Sequence, residues 1–175
     1  RQAQEAPGDE LYALLGRVHL SADQKEEARR IVDQGREKFP ESVPLAGLSA
    51  ELAYRSGDSA RGEREIAGLL EAAKGSEEGY LEVIQLEGRL GNFREASRRC
   101  SEALARHPDS IPLRFQDAAL EERRGKVAES EKKFRSLLAL KPDYAEALNY
   151  LGYMLADRGV KLPEARAMVE KALTI

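Results

Sequence analysis

The chain carries no tryptophan, a single cysteine and two histidines among 175 residues, and only 6% of it is aromatic. One cysteine excludes an internal disulfide and leaves the redox compartment open. The two histidines, His19 and His107, stand far apart in the sequence, so no metal-ligand cluster and no histidine-based catalytic pair can be drawn around them. No stretch approaches the roughly 20 apolar residues that a membrane helix requires, and no membrane insertion is expected. No charged-then-apolar signal segment opens the chain either. It begins at Arg1 rather than methionine, which leaves room for a leader or an upstream domain, and the compartment, cytoplasmic or periplasmic, stays undecided. A basic excess is also missing. Lys and Arg number 28 against 31 Asp and Glu, a formal net charge of −3, which argues against a nucleic-acid partner, since such scaffolds present a basic face.

What is present is a period. Rows begun at Asp9, Val43, Glu77, Ile111 and Ala145, each 34 residues after the last, stack in register, the mark of one supersecondary unit repeated. Column fifteen reads Asp23, Gly57, Gly91, Gly125, Gly159, and column thirty-two reads Pro40, Lys74, Pro108, Pro142. Five residues beyond each column-fifteen position stand Ala28, Gly62, Ala96, Ser130 and, after a one-residue insertion, Ala165. Only close packing explains a column held to small side chains. Between glycine and proline each row holds two amphipathic stretches. In the third row these are Tyr80, Val83, Ile84, Leu86, Leu90 and then Phe93, Ala96, Cys100, Ala103, Leu104, apolar at three- and four-residue steps. Cys100 shares its column with Val32, Ile66, Phe134 and Val169 and reads as a small core hydrophobe, not a nucleophile. The glycines follow the repeat, so they form no phosphate-binding loop, and no cofactor is expected.

The helix ends are marked chemically. Ser42, Ser76, Ser110 and Asp143 stand where the first helices of the last four rows need an N-cap oxygen. Asp143 with Glu146, Asp23 with Glu26 and Asn92 with Glu95 have capping-box spacing or its near equivalent. Pro44 and Pro112 fall in first turns, where no N–H partner is lost. Residues 1–8 read as a polar lead-in. The remainder divides into repeats 9–42, 43–76, 77–110, 111–144 and 145–175, expected to form one array because each repeat needs its neighbours to bury its apolar faces.

These residues resemble the tetratricopeptide repeat, whose pattern sets an aromatic, Leu-Gly, a tyrosine, Ala, an aromatic, Ala and Pro along 34 positions. The resemblance covers residues 9–175. It is strongest in the last row, in Ala145-Glu-Ala-Leu-Asn-Tyr-Leu-Gly-Tyr-Met-Leu-Ala-Asp-Arg-Gly, Glu164-Ala165 and Lys171-Ala172-Leu173, which looks like many bacterial members. The first row keeps Tyr12, Leu14-Leu15-Gly16, Ala28 and Pro40. Ser49 and Asp117 depart from the family's leucine, and Lys74 from its proline. The resemblance implies an all-α fold, a right-handed superhelical α-solenoid of five tandem helix-turn-helix repeats. It also implies a concave groove lined by the first helices and a convex back formed by the second.

The groove columns then hold Arg55, Arg89 and Arg123, one column in three consecutive rows, together with Phe115, Asn149, Tyr150 and Tyr153. Three guanidinium groups in line suit an extended, carboxylate-rich peptide through bidentate pairs. Pairing of the same arginines with Glu51, Glu87, Glu121 or Glu122 is the competing reading. Phe115, Tyr150 and Tyr153 read either as a partner anchor or as packing between the fourth and fifth rows. The two-carboxylate clamp by which some family members hold chaperone C-termini uses lysine and asparagine at early groove positions. The matching places here hold Ala13, Arg17, Gly47 and Leu48, so that clamp is absent. Asp117, in a leucine column, needs a partner for its carboxylate, and Arg114 one turn earlier is the nearest in sequence.

The chain thus reads as a non-catalytic scaffold that binds a protein or peptide segment in its groove. The alternatives are a self-association module, or a regulatory or substrate-presenting arm of a larger enzyme. Nothing in the last row covers Val169, Ala172 and Leu173, which are expected to form an exposed apolar strip open to homo-oligomerisation or to a further helix.

Overall fold

The computed structural model describes residues 8–175; of the expected lead-in, residues 1–7 lie outside the described residues. Among the described residues there are ten helices and no strand. The first helices of the rows are α1 (Asp9–Ser21), α3 (Val43–Arg55), α5 (Glu77–Arg89), α7 (Ile111–Arg123) and α9 (Ala145–Asp157). The second helices are α2 (Lys25–Lys38), α4 (Ser59–Ala72), α6 (Phe93–Arg106), α8 (Val127–Leu140) and α10 (Leu162–Ala172). Every first helix begins at the first residue of a row and runs 13 residues.

The starts follow from the caps. Ser42, Ser76 and Ser110 each accept a backbone N–H from the residue three positions on, Leu45, Gly79 and Leu113, and proline opens α3 and α7. Asp143 does not cap α9. It lies one column earlier than the serines, so the cap position falls to Tyr144, which makes no side-chain capping bond. Asp23 likewise is not the cap of α2, a place taken by Gln24 without a side-chain bond. Asp58 caps α4, accepting from the Arg61 N–H at 2.9 Å.

The column-fifteen residues explain how each pair turns. Asp23, Gly57, Gly91, Gly125 and Gly159 all have left-handed backbone, with φ between 57° and 84°, which glycine adopts without steric cost. The next residue's N–H then reaches back to the last turn of the first helix. Gln24 bonds to the His19 carbonyl, Asp58 to Ala53, Asn92 to Glu87, Lys126 to Glu121 and Val160 to Leu155, at 2.8–3.1 Å. This is a Schellman closure five times over. The absence of proline at Lys74 has the same kind of cause. Lys74 has φ 51°, and a proline ring fixes φ near −65°.

The described residues fall into two compact units, the first closing at Arg99 and the second covering Cys100–Ile175; the division falls inside α6. In the first unit α1 packs on α2, α3 on α4, and α3 also meets α1, α2 and α5. Leu20, Ala28, Val32, Leu48 and Leu52 form one buried cluster, and Ala50, Ile66, Leu69, Val83 and Leu86 another. In the second unit α7 packs on α8, α8 on α9 and α9 on α10, around Phe134, Leu137, Leu151, Leu155 and Ala165. The small column is buried throughout: Ala28, Gly62, Ala96, Ser130 and Ala165 are at most 1% exposed where a value is resolved. At Gly62 the neighbour is the Tyr54 ring, which occupies the space a Cβ would take. In the last row the turn holds one extra residue, Lys161, also left-handed at φ 51°, and Ala165 still reaches the small position.

Candidate functional site

On the first unit, the polar face of α1, α3 and α5 is a chain of alternating charges. Arg17 donates to Glu82 Oε1 at 3.0 Å, and Arg89 donates to the same oxygen at 3.3 Å. The Nε of Arg89 donates to Glu51 Oε2 at 2.9 Å, and the Nε of Arg55 to Glu51 Oε1 at 3.0 Å. Glu51 is 3% exposed. A buried carboxylate needs cations to offset its lost hydration, and Arg55 with Arg89 supply them. Glu82 lies across Gly47 on α3, where a Cβ would collide with its side chain. Two of the three arginines named from sequence are therefore engaged with acidic neighbours; Arg123 belongs to the second unit.

Two further buried carboxylates lie at the back of their first helices. Glu87 is 1% exposed, accepts from Asn92 Nδ2 at 2.9 Å and lies 3.7 Å from Arg99 Nε. Glu121 accepts from Lys133 Nζ at 3.2 Å, with Arg124 and Lys126 nearby. Burial works against its charged form, yet these three cations hold its carboxyl below the usual carboxylate range. The signal for both was in the sequence: Glu87 and Glu121 are 34 residues apart, as are Arg99 and Lys133. Asp117 belongs to the same arrangement. Its partner is Lys133 Nζ at 2.8 Å, not Arg114, whose guanidinium instead donates to the Pro108 carbonyl at 2.6 Å. One helical turn of separation brings Arg114 near in sequence, but α8 presents Lys133 directly to Asp117.

In the second unit the three aromatics part company. Phe115 meets Phe134, Tyr144 and Tyr150 edge-on, with ring centroids 5.5, 5.9 and 5.6 Å apart, and Tyr150 stacks on Phe134 at 4.9 Å. Phe115 and Tyr150 are half-buried packing against the core cluster. The Tyr150 hydroxyl donates to Glu122 Oε2 at 3.3 Å, and burial together with the Glu122 charge raises its pKa. Tyr153 stands apart, 63% exposed. Asn149, one turn before it on α9, is exposed, and so is Arg123 on α7, beside the Tyr150 hydroxyl.

The expected strip on α10 is narrower than its sequence suggests. Val169 is half-buried because its Cγ2 fills the space above Gly152, and Ala172 is also half-buried; Leu173 is 82% exposed. Cys100 is fully buried, its thiol pushed up to about 12 by burial and then by the Asp117 charge, so it holds no reactive thiolate near neutral pH. His19 bonds through Nδ1 to Gln24 Oε1 at 2.6 Å, across the first turn. The His107 carbonyl accepts from the Ser110 N–H before α7. Among the described residues no group of three His, Cys, Asp or Glu is placed to hold a metal ion, and no helix is long and apolar enough to cross a membrane.

A run of helix pairs joined by identical left-handed closures, with small residues at the crossing and charges on the first-helix face, defines a helical-repeat protein of the all-α class. Residues 115–175 match the family model for the tetratricopeptide repeat. Over 171 residues the chain is 29% identical to a TPR repeat-containing protein of Pseudomonas aeruginosa; this covers 94% of the chain but 28% of that relative's length. A thermophilic TPR protein of Thermus thermophilus superposes with a TM-score of 0.66 at 18% identity, covering 95% of this chain and 91% of that one. YrrB, a TPR protein with an unusual peptide-binding site, superposes with a TM-score of 0.54 at 16% identity, covering 93% and 84%. The chain thus has the fold of tetratricopeptide-repeat proteins and resembles them over nearly its whole length. Proteins of this family generally mediate protein–protein interaction and are generally non-catalytic scaffolds.

Proposed function

We propose that this chain is a non-catalytic interaction module that takes an extended segment of another protein on the first-helix face of its second unit. The observation that carries this reading is Tyr153, a large aromatic left in solvent on a helix whose other large apolar side chains are buried or half-buried. A tyrosine exposed in this way offers a broad contact at low entropic cost and is a common interface anchor. Asn149, at the i−4 position, supplies both a donor and an acceptor for a passing backbone. Arg123 supplies a cation for an acidic side chain, and Phe115 and Tyr150 hold the surface rigid from beneath. Arg55 and Arg89, already engaged with Glu51, contribute less. The peptide-binding site named for YrrB supports the class of ligand.

The test is selection of peptides from a random library on the wild-type chain, followed by affinity measurement on variants. Tyr153→Ala and Asn149→Ala should each weaken the selected peptides by about tenfold or more, with unchanged helix content, and Arg123→Ala should flatten the salt dependence. Full affinity in all three variants would remove this face from the site.

A further inference from the structure

The first unit holds a second, differently built recess. A cleft of about 450 Å³ opens between the end of α2, the loop Pro40–Ser42 with the first turn of α3, and the length of α4. Its size falls in the range of ligand clefts, roughly 300–1,000 Å³. The floor is apolar, formed by Val43, Ala46, Leu69 and Ala72, and the rim carries Arg36, Arg61 and Arg64.

The departures of the second row from its neighbours meet here. Ser49 replaces a leucine and is 3% exposed, and it accepts from Arg36 Nη1 at 3.0 Å. The same nitrogen donates to Glu65 Oε2 at 2.8 Å. Arg36 is thereby anchored by a nearly buried hydroxyl and a carboxylate, a pre-set guanidinium with donors to spare. Arg61 stands 3.6 Å from the other oxygen of Glu65. Glu65 is thus shared by two arginines, and Arg64 is exposed and makes no ion pair among the described residues. Glu41, in the loop, is the remaining acid of the lining, so three cations face two anions on a chain whose net charge is −3. Gly68 forms part of the wall. A Cβ there would meet nothing within 4 Å, so this glycine keeps space open without being required by the fold.

We infer that this cleft is a binding site for an acidic peptide segment, one that sets carboxylates against Arg36, Arg61 and Arg64 and small apolar side chains against the Val43–Leu69 floor. A bare anion would leave the apolar floor wet, whereas an acidic peptide matches floor and rim together. The site is separate from the Tyr153 face and stands or falls independently of it.

The probe is a fluorescein-labelled hexapeptide of alternating glutamate and alanine, compared with its glutamine counterpart by fluorescence anisotropy. The glutamate peptide should bind at least about tenfold tighter than the glutamine one and lose affinity with rising salt. Arg64→Glu, at an exposed side chain without an ion pair among the described residues, and Gly68→Leu, which fills the cleft from a position with open space, should each reduce binding by about tenfold or more at unchanged helix content. Tyr153→Ala and Arg123→Ala should leave it within about twofold. Equal binding of the glutamine peptide, or full affinity in both Arg64→Glu and Gly68→Leu, overturns the site. So does displacement of the peptide by an equimolar amount of inorganic phosphate, which would make the recess a site for free anions.

Discussion

In the first unit, Arg17, Arg55 and Arg89 are matched by Glu51 and Glu82 at 2.9–3.3 Å, while in the second Arg123, Asn149 and Tyr153 stand in solvent. The same repeat columns therefore do different work. Where a first helix carries an acid at the column of Glu51, its neighbours' arginines are drawn in to neutralise it and the surface becomes part of the architecture. Where that column holds Tyr153, no carboxylate is buried there; Arg123 reaches the Tyr150 hydroxyl and stays exposed, and the surface stays open to a partner. Position within the repeat does not by itself assign a residue to binding.

The contrast is broken most severely from below. Phe134 is fully buried and joins Phe115 and Tyr150 in one aromatic stack; Phe134→Ala should cost about 3–5 kcal/mol, measured by urea unfolding, and loosen the Tyr153 face with it. Ala96 is fully buried in the small column, so Ala96→Leu should cost about 1–3 kcal/mol through overpacking. An unshifted melting temperature would contradict that packing. Removing the Glu51 carboxylate by Glu51→Ala should cost about 1–3 kcal/mol, since it leaves Arg55 and Arg89 without their shared acceptor. The same variant frees Arg55 and leaves Arg89 only its contact with Glu82, so the first unit should then bind acidic peptides on this face more tightly than the wild type.

Acid should act on the second unit through Glu131 and Glu164. Hydrogen bonds from Lys161 and Arg135 lower Glu131, and Arg135, bidentate at 2.8 and 3.0 Å, lowers Glu164. Carboxyls held below their unfolded value of 4.5 stabilise the fold above that pH, and the contribution disappears as pH falls through the lowered folded values. The urea midpoint should therefore drop below about pH 4.5, and Glu164→Gln should shrink the drop. The effect is small because the pairs are only partly buried and remain screened by solvent. Smallest of all, Tyr153→Ala should change stability by no more than about 0.5 kcal/mol, which makes it the clean probe of binding.

The ten helices were legible in the sequence because what fixes their ends is local: a serine three residues before the N–H it caps, a glycine where the backbone turns left-handed, a 34-residue step between them. Asp143 misled because serine and aspartate share capping chemistry while lying one column apart. Side-chain partners were less legible. Asp117 finds Lys133 and Ser49 finds Arg36 across helices, distances set by how the helices cross and not by spacing along either one. The buried pairs of Glu87 with Arg99 and Glu121 with Lys133 were readable in principle, as charges repeating on the same period as the hydrophobes.

The five closures after the first helices are made of main chain alone, a carbonyl from the last turn and an amide just past a left-handed residue. Such a joint is indifferent to the side chains around it. In the last row the joint takes an additional residue at Lys161, and α10 still seats Ala165 against its partner. Length variation is absorbed at the elbow without reaching the packed crossing. The elbows are therefore the places to graft a loop, a tag or a second recognition element, and such insertions should leave the helix pairs they join unaltered.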